Sequence, residues 1–432
     1  MPQSDDLGIT RSQGYSFTPL IMLEILRTFG SALMSSSVSN HLLIELGIKE
    51  SVGSVVSSMF FFGFFFFTMF FGHASDKLGR RNVIILTEGI SLFMAALSLI
   101  PITNTARLVL FAIYRFIDGG TNGVFWPTVQ GYSIFAGRLG KEQKQKFLSG
   151  YNFGWNFGVL CGMIGGSIFV YLTGSNYLVF YFNVAIVSLG LLISVKYLKP
   201  TFDPFAVNDT PFLQKQTNDQ RNESIIPKNQ DKQHLNQNSS NNVLIKKIGN
   251  LPLYVMISVL LIHAFFDGGI IIFSPLKSKS LQVGTYWVFI LGLTKASTQT
   301  VSTTQTSKVK DSLAIKGLYL VAPCLVMIWI LIALNRSLGV FVVLVALSGM
   351  FQGMVYAFCM KITSLKAQNL DSSRPFALYQ ATMGTGRMIG QLFIGIGAEV
   401  NLNFGIWLLI IYDFIALTLF VNKTLALHSN KY

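Results

Sequence analysis

The chain has 432 residues, of which 51% are hydrophobic and only 12% charged, and its mean hydropathy is +0.52. Because ordinary soluble domains carry about 25% charged residues, this composition excludes a soluble globular protein and predicts an integral membrane protein. The net charge of +14 does not indicate nucleic-acid binding, because Lys and Arg fall mostly in short stretches between apolar segments. We therefore expect lipid around the chain and no nucleic-acid partner.

Twelve segments are predicted as membrane-spanning helices, each with the roughly 20 apolar residues needed to cross a hydrocarbon core of about 30 Å. They cover 17–38, 51–72, 82–101, 107–134, 148–171, 177–197, 251–274, 282–303, 316–335, 338–361, 375–398 and 402–421. The eighth is the weakest, because its apolar part is short and is followed by Lys295 and a stretch rich in Ser, Thr and Gln. The fold class expected is an all-α integral membrane protein.

The polar segment 198–248 is rich in Asn and Gln, which predicts a disordered linker between residues 1–197 and 249–432, with six helices in each. Basic residues between the spans number 24 on the side of the linker and 5 on the other side. Since cytoplasmic segments are enriched in Lys and Arg, we predict cytoplasmic termini and a cytoplasmic linker in a multi-pass protein of the cell membrane. The acidic start of the chain does not resemble a signal peptide.

A charged turn follows the second predicted helix and has the spacing G-x-x-x-D-[RK]-x-G-[RK]-[RK] through Gly72, Asp76, Lys77, Gly79, Arg80 and Arg81. This turn, within a six-plus-six organisation, resembles the signature of the major facilitator superfamily. The resemblance implies two six-helix bundles that rock about a central site, with the turn as a cytoplasmic latch. Arg80 and Arg81 have the alternative role of lipid anchors. A partial copy at 307–316 contains Asp311 but lacks both glycines.

Ionisable side chains inside apolar helices cost roughly 2.5–3.5 kcal/mol each on insertion, so they usually face a cavity or a partner. Three pairs share a helix face through a spacing of three or four residues. They are Glu24 with Arg27, Arg115 with Asp118, and His263 with Asp267. The resemblance places their helices around the central cavity and associates Arg115 with proton transfer. The alternative is three static intrahelical ion pairs.

Other polar residues complete the predicted cavity, namely Asn152, Asn156, Gln380 and Arg387, with Trp126, Trp155 and Tyr379 as aromatic lining. Glu88 and Asp413 are expected on peripheral helices, and Lys295 is expected to extend to the membrane surface. A stripe of small residues, predicted as a helix-packing surface, is formed by Gly154, Gly158, Gly162 and Gly166. It resembles an antiporter motif of the superfamily but lacks its Gly-Pro step.

The function predicted from the sequence is secondary transport of a small molecule by a monomer, without enzymatic activity. No Walker loop and no zinc or haem spacing is found, so no cofactor is expected and protons are the predicted energy source. Three cysteines in apolar segments, Cys161, Cys324 and Cys359, indicate packing residues. We favour export of hydrophobic compounds. Import of a polar nutrient such as a sugar, or a sensor or adaptor that transports nothing, are the alternatives.

Overall fold

The computed structural model describes residues 17–72, 74–100, 104–138, 141–198, 253–309, 313–370 and 374–429. In these ranges the chain is all-helical, and a long helix coincides with each of the twelve predicted segments. These helices are α1 Thr18–Asn40, α2 Glu50–Phe71, α3 Arg80–Leu97, α4 Asn104–Arg138, α5 Lys141–Thr173, α6 Tyr177–Tyr197, α7 Leu253–Ser280, α8 Tyr286–Ser307, α9 Ala314–Leu334, α10 Leu338–Leu370, α11 Arg374–Val400 and α12 Leu402–Ser429. A π-helical turn, His41–Glu45, extends α1, and a short helix, Ser75–Leu78, precedes α3. The predicted linker lies outside the described residues, apart from Leu198.

Seven of the described helices are long and apolar enough to cross a membrane, namely α2, α5, α6, α7, α9, α10 and α12. Large apolar side chains are exposed on the outer surface, including Phe93 at 64%, Leu172 at 73% and Leu320 at 72%. A surface of this kind is unusual on a soluble monomer. Exposed apolar helices therefore identify a multi-pass membrane protein.

The packing of the helices repeats after six helices. In the first six, α1 packs on α5 and α6, α2 packs on α4, and α3 packs on α4 and α6. The last six repeat this pattern: α7 packs on α11 and α12, α8 packs on α10, and α9 packs on α10 and α12. Equivalent glycines permit the close approaches, because Gly119 of α4 lies on the backbone of Phe60 and Gly349 of α10 on that of Lys295. The two halves of the chain thus share one packing plan.

Within the described residues, two extensive seams join the first six helices to the last six. In one, α2 packs along α11; in the other, α5 packs on α8, where Gly166 lies against Phe289 and Gly292 against Met163. Exchanging the halves exchanges the seams, as expected for parallel repeats. We call the end where α1 begins and α2 ends face A, and the end where α1 ends and α2 begins face B.

Candidate functional site

A cavity of about 170 Å³ lies near the middle of the helices, between the two halves of the chain. The first half contributes hydroxyl and aromatic side chains from α1, α2, α4 and α5; the second half contributes α7, α8 and α11. Its lining includes Thr28, Ser31, Ser35, Phe60, Phe61, Phe64, Asn122, Trp126, Trp155, Asp267, Ile270, Lys295, Gln299 and Arg387. One wall is therefore mainly aromatic and hydroxylic, and the other carries charge.

The charged wall is built around Asp267 of α7. Lys295 of α8 donates to Asp267 Oδ1, and Arg387 Nη2 of α11 lies 2.5 Å from Asp267 Oδ2. The predicted pairing of His263 with Asp267 is wrong, because both ring nitrogens of the buried His263 lack a hydrogen-bond partner. The prediction that Lys295 reaches the membrane surface is also wrong, because it is 9% exposed and faces the cavity.

A second buried cluster lies in the first half and is organised by Arg27 of α1. Its guanidinium donates to Ser91 Oγ at 2.7 Å and to Thr121 Oγ1 at 2.6 Å. The same group lies 3.5 Å from the Glu88 carboxylate and 3.8 Å from that of Asp118. These contacts connect α1, α3 and α4.

Two predictions about this cluster need correction. Arg27 does not pair with Glu24, whose Oε1 is buried without a hydrogen-bond partner. Glu88 lies on α3, a helix expected to be peripheral and without a part in the site, but its side chain is 2% exposed and points into the cluster. The predicted contact within α4 does form, with Arg115 Nη1 at 3.9 Å from Asp118 Oδ2.

Three polar residues connect the Arg27 cluster with the cavity wall. Asn122 Oδ1 accepts from Arg27 Nε at 3.1 Å, and Asn122 Nδ2 lies 3.3 Å from Asp118 Oδ1. Ser31 donates to the same Asn122 oxygen at 3.3 Å, and Arg115 donates to Ser35 Oγ at 3.2 Å. Asn122, Ser31 and Ser35 also line the cavity. A ligand that touches them would alter the hydrogen bonds around Asp118.

Some predicted site residues lie elsewhere. The cavity lining does not include Glu24, Arg27, Arg115, Asp118, Asn152, Asn156, His263, Tyr379 or Gln380. Asn156 instead donates to the backbone carbonyl of Asn152 at 2.7 Å. On α12, both carboxylate oxygens of the fully buried Asp413 lack a hydrogen-bond partner, and this carboxyl also lies outside the cavity lining.

Comparison with known proteins decides the family. The model of the Major Facilitator Superfamily matches residues 20–390. The chain belongs to the Major Facilitator Superfamily. This superfamily chain is also 30% identical over 100 residues to the MFS-type transporter traF of Penicillium crustosum, a match that covers 23% of the chain and 20% of that relative.

Solved structures share the fold of this superfamily member. A POT family transporter in complex with a thioalcohol-conjugated peptide gives a TM-score of 0.68 at 10% identity, covering 96% of both chains. A variant of the nucleoside transporter NupG gives 0.63 at 14% identity, covering 94% of this chain and 99% of the other. At such low identity the likeness shows the fold alone.

The superfamily turn lies at face A. Gly79 has φ +80°, a conformation that strains other residues. Gly72 lies against Ala377 at the start of α11, in the other half of the chain. Arg81 donates to the backbone carbonyl of Leu198 after α6. The side chains of Asp76 and Lys77 lie outside the described residues, as does Asp311 of the partial copy.

The glycine stripe of α5 divides between two neighbours. Gly154, Gly158 and Gly162 lie against α1, at Glu24, Ile25 and Phe29 respectively, whereas Gly166 lies against Phe289 of α8. The stripe therefore contacts both its own half and the seam with the other half.

At face B the α2–α11 seam ends in a polar contact. The hydroxyl of Ser51 donates to Glu399 Oε1, and the Ser51 backbone N–H lies 3.3 Å from the same oxygen. These hydrogen bonds, the hydroxyl first, hold the pKa of the Glu399 carboxyl below its ordinary value. Ser51 and Glu399 thus connect the two halves at this face.

Proposed function

We propose that this superfamily member is a proton-coupled secondary transporter that moves a small molecule across the cell membrane by alternating access. In this proposal all twelve helices span the membrane, and face A, with both termini, is cytoplasmic. The observation that carries the proposal is the continuous hydrogen-bonded route from the central cavity through Asn122 to Asp118. Such a route couples occupancy of the cavity to protonation of a carboxylate.

The seams support alternating access. The cavity lies between two halves of similar packing that meet along α2–α11 and α5–α8. In repeat-built transporters, rocking of one half against the other opens a fixed central site to each side in turn. The turn 72–81 at face A is our candidate for a latch, because Gly72 brings it against α11.

The surroundings of Asp118 support proton coupling. Its carboxylate lies between Arg27 and Arg115 at 3.8 and 3.9 Å, distances longer than those of a tight charge-assisted hydrogen bond. Protonation of Asp118 would weaken its attraction for both guanidinium groups, and that of Arg115 already contacts the cavity residue Ser35. Protonation of Asp118 can therefore change the hydrogen bonding of the cavity wall.

For the direction of transport we retain export of compounds with an apolar body, which the aromatic wall of the cavity supports. Import of a polar nutrient is the second candidate. It is favoured by the hydroxyl groups that α1 places on the same cavity, at Thr28, Ser31 and Ser35.

The experiment is reconstitution of the full chain in liposomes with an imposed pH gradient. We expect flux of a substrate in the presence of the gradient and loss of that flux when the gradient is collapsed. A panel of apolar and polar probes without gradient-dependent flux, and without proton release on binding, would instead favour a sensor or adaptor.

The variant Asp118→Asn tests the role of this carboxyl. We expect it to reduce gradient-driven flux at least ~tenfold while substrate still binds, because the amide cannot release a proton. Glu24→Gln is the comparison, since Glu24 is also buried but its Oε1 has no hydrogen-bond partner, whereas Asp118 is connected to the cavity through Asn122. If coupling of flux to the pH gradient were unchanged in Asp118→Asn and lost in Glu24→Gln, Glu24 would be the proton site instead.

A further inference from the structure

The charge on the cavity wall is not balanced. Among the described residues, the charged side chains in the lining are Asp267, Lys295 and Arg387. Each oxygen of Asp267 takes one of the two cations, so one carboxylate is shared by two positive groups. Arg387 Nε is buried and has no hydrogen-bond partner. The wall therefore carries one excess positive charge and an unused donor.

The cluster in the first half does not supply the missing negative charge. Its cations, Arg27 and Arg115, are matched by the carboxylates of Glu88 and Asp118. None of these four residues belongs to the cavity lining. The excess charge at the cavity is therefore left for a ligand to compensate.

The opposite wall favours an apolar ring. Trp126 and Trp155 meet edge to face with centroids 4.5 Å apart, and Phe61 lies beneath the Arg387 guanidinium at 5.6 Å. The cavity volume is about 170 Å³, and an apolar protein cavity of about 150 Å³ is known to hold benzene. The space thus matches one ring with a small substituent.

We propose that the cavity binds a monovalent organic anion with a single-ring apolar body, such as an aromatic monocarboxylate. Its ring lies against Trp126 and Trp155, and its carboxylate binds Arg387 and Lys295 in competition with Asp267. The planar Arg387 guanidinium suits a carboxylate, which it can bind through two hydrogen bonds. A dianion would bring more negative charge than the one excess positive charge of the wall can balance. A cation would be repelled by Lys295 and Arg387. This inference deepens the proposed function by naming its substrate class.

The binding test uses the purified full chain and three probes of one shape, namely benzoate, neutral benzamide and cationic benzylamine. We expect benzoate to bind at least ~tenfold more tightly than benzamide, by calorimetry or by quenching of tryptophan fluorescence, and benzylamine not to bind. Equal affinity for benzoate and benzamide, or tighter binding of benzylamine, would overturn the proposal. This comparison needs no substitution, so a variant that fails to fold does not affect it.

Two variants test the competition at Asp267. Arg387→Gln removes a ligand of the anion, and we expect a loss of benzoate affinity of at least ~tenfold, with partial rescue in Arg387→Lys. Asp267→Asn removes the internal competitor, so benzoate affinity should rise. A purely structural role of this cluster would lower the affinity in both. Lys279→Gln, at an exposed lysine near the end of α7, is the matched control for loss of one positive charge.

Transport is measured separately with benzenesulfonate, which stays ionised and does not cross lipid as a neutral acid. Anion binding that depends on Arg387, without flux, would leave the ligand class standing and remove the proposed transport function. Gradient-driven flux of neutral compounds, without selective anion binding, would retain transport and overturn the ligand class.

Discussion

At the scale of single residues, Arg27 is the side chain on which the buried polar core of the first half depends. It is 5% exposed and holds two carboxylates, Glu88 and Asp118, that lie on different helices. Removing one partner of a buried ion pair is more costly than never having the pair, because the remaining charge stays buried.

We therefore expect Arg27→Gln to destabilise the protein by about 3–5 kcal/mol, measured as the free energy of unfolding in detergent. The double variant Arg27→Gln with Glu88→Gln should be less unstable than the sum of the single changes, by about 0.5–3 kcal/mol. Strict additivity of the two substitutions would show that this ion pair makes no contribution.

The sequence predicted that charged residues such as Arg27, Arg115 and Asp118 lie inside the protein, but not which side chains meet. Spacing of three or four residues placed Glu24 with Arg27 and His263 with Asp267 on common helix faces. The structure instead pairs Arg27 with Glu88 and Asp267 with Lys295. Those partners come from other helices, so their contact depends on tertiary packing that no local spacing encodes. Arg115 with Asp118 is the pair for which local spacing was sufficient.

At the scale of helices, close packing of α2 on α4 positions the Phe side chains of the cavity and the Asp118 region. A Cβ at Gly119 would overlap the backbone carbonyl of Phe60, and one at Gly123 that of Phe64. Backbone cannot move aside as a flexible side chain can, so a larger residue must separate the two helices.

We expect Gly119→Ala to destabilise the protein by about 1–3 kcal/mol through overpacking, seen as a lower Tm. Gly89→Ala is the matched control, because the space around Gly89 on α3 is open. Gly89→Ala should leave Tm unchanged or raise it, since alanine has a higher helix propensity than glycine. A Tm for Gly119→Ala equal to that of this control would contradict the tight α2–α4 contact.

The helices of lower hydropathy supply most of the charged side chains of the two buried clusters. The five long helices that do not reach the apolar threshold for a membrane span, α1, α3, α4, α8 and α11, contain Arg27, Glu88, Asp118, Lys295 and Arg387. Hydropathy falls where buried polar side chains are concentrated. In the eighth segment, Lys295 and the Ser, Thr and Gln residues that follow it shorten the apolar part. A long helix nevertheless coincides with each of the twelve segments predicted from the sequence.

At the scale of the whole molecule, the superfamily fold offers two seams as the surfaces that must change if the halves rock. At face B the α2–α11 seam is bridged by Ser51 and Glu399. Contacts between helices of the same half at face B need not break when the halves rock. Asn40 of α1 and Asn176, at the start of α6, are hydrogen-bonded at 3.4 Å and both belong to the first half.

Cross-linking therefore distinguishes rocking from a rigid bundle. In a background without Cys161, Cys324 and Cys359, we expect Ser51→Cys with Glu399→Cys to form a disulfide or accept a short thiol cross-linker, and to lose flux reversibly with reductant. A bridge across the seam prevents face B from opening, whereas Asn40→Cys with Asn176→Cys bridges helices that move together and should retain flux. Full transport by the cross-linked seam variant would mean that the cavity reaches face B without separation of α2 from α11, and two rigid halves would no longer describe the cycle.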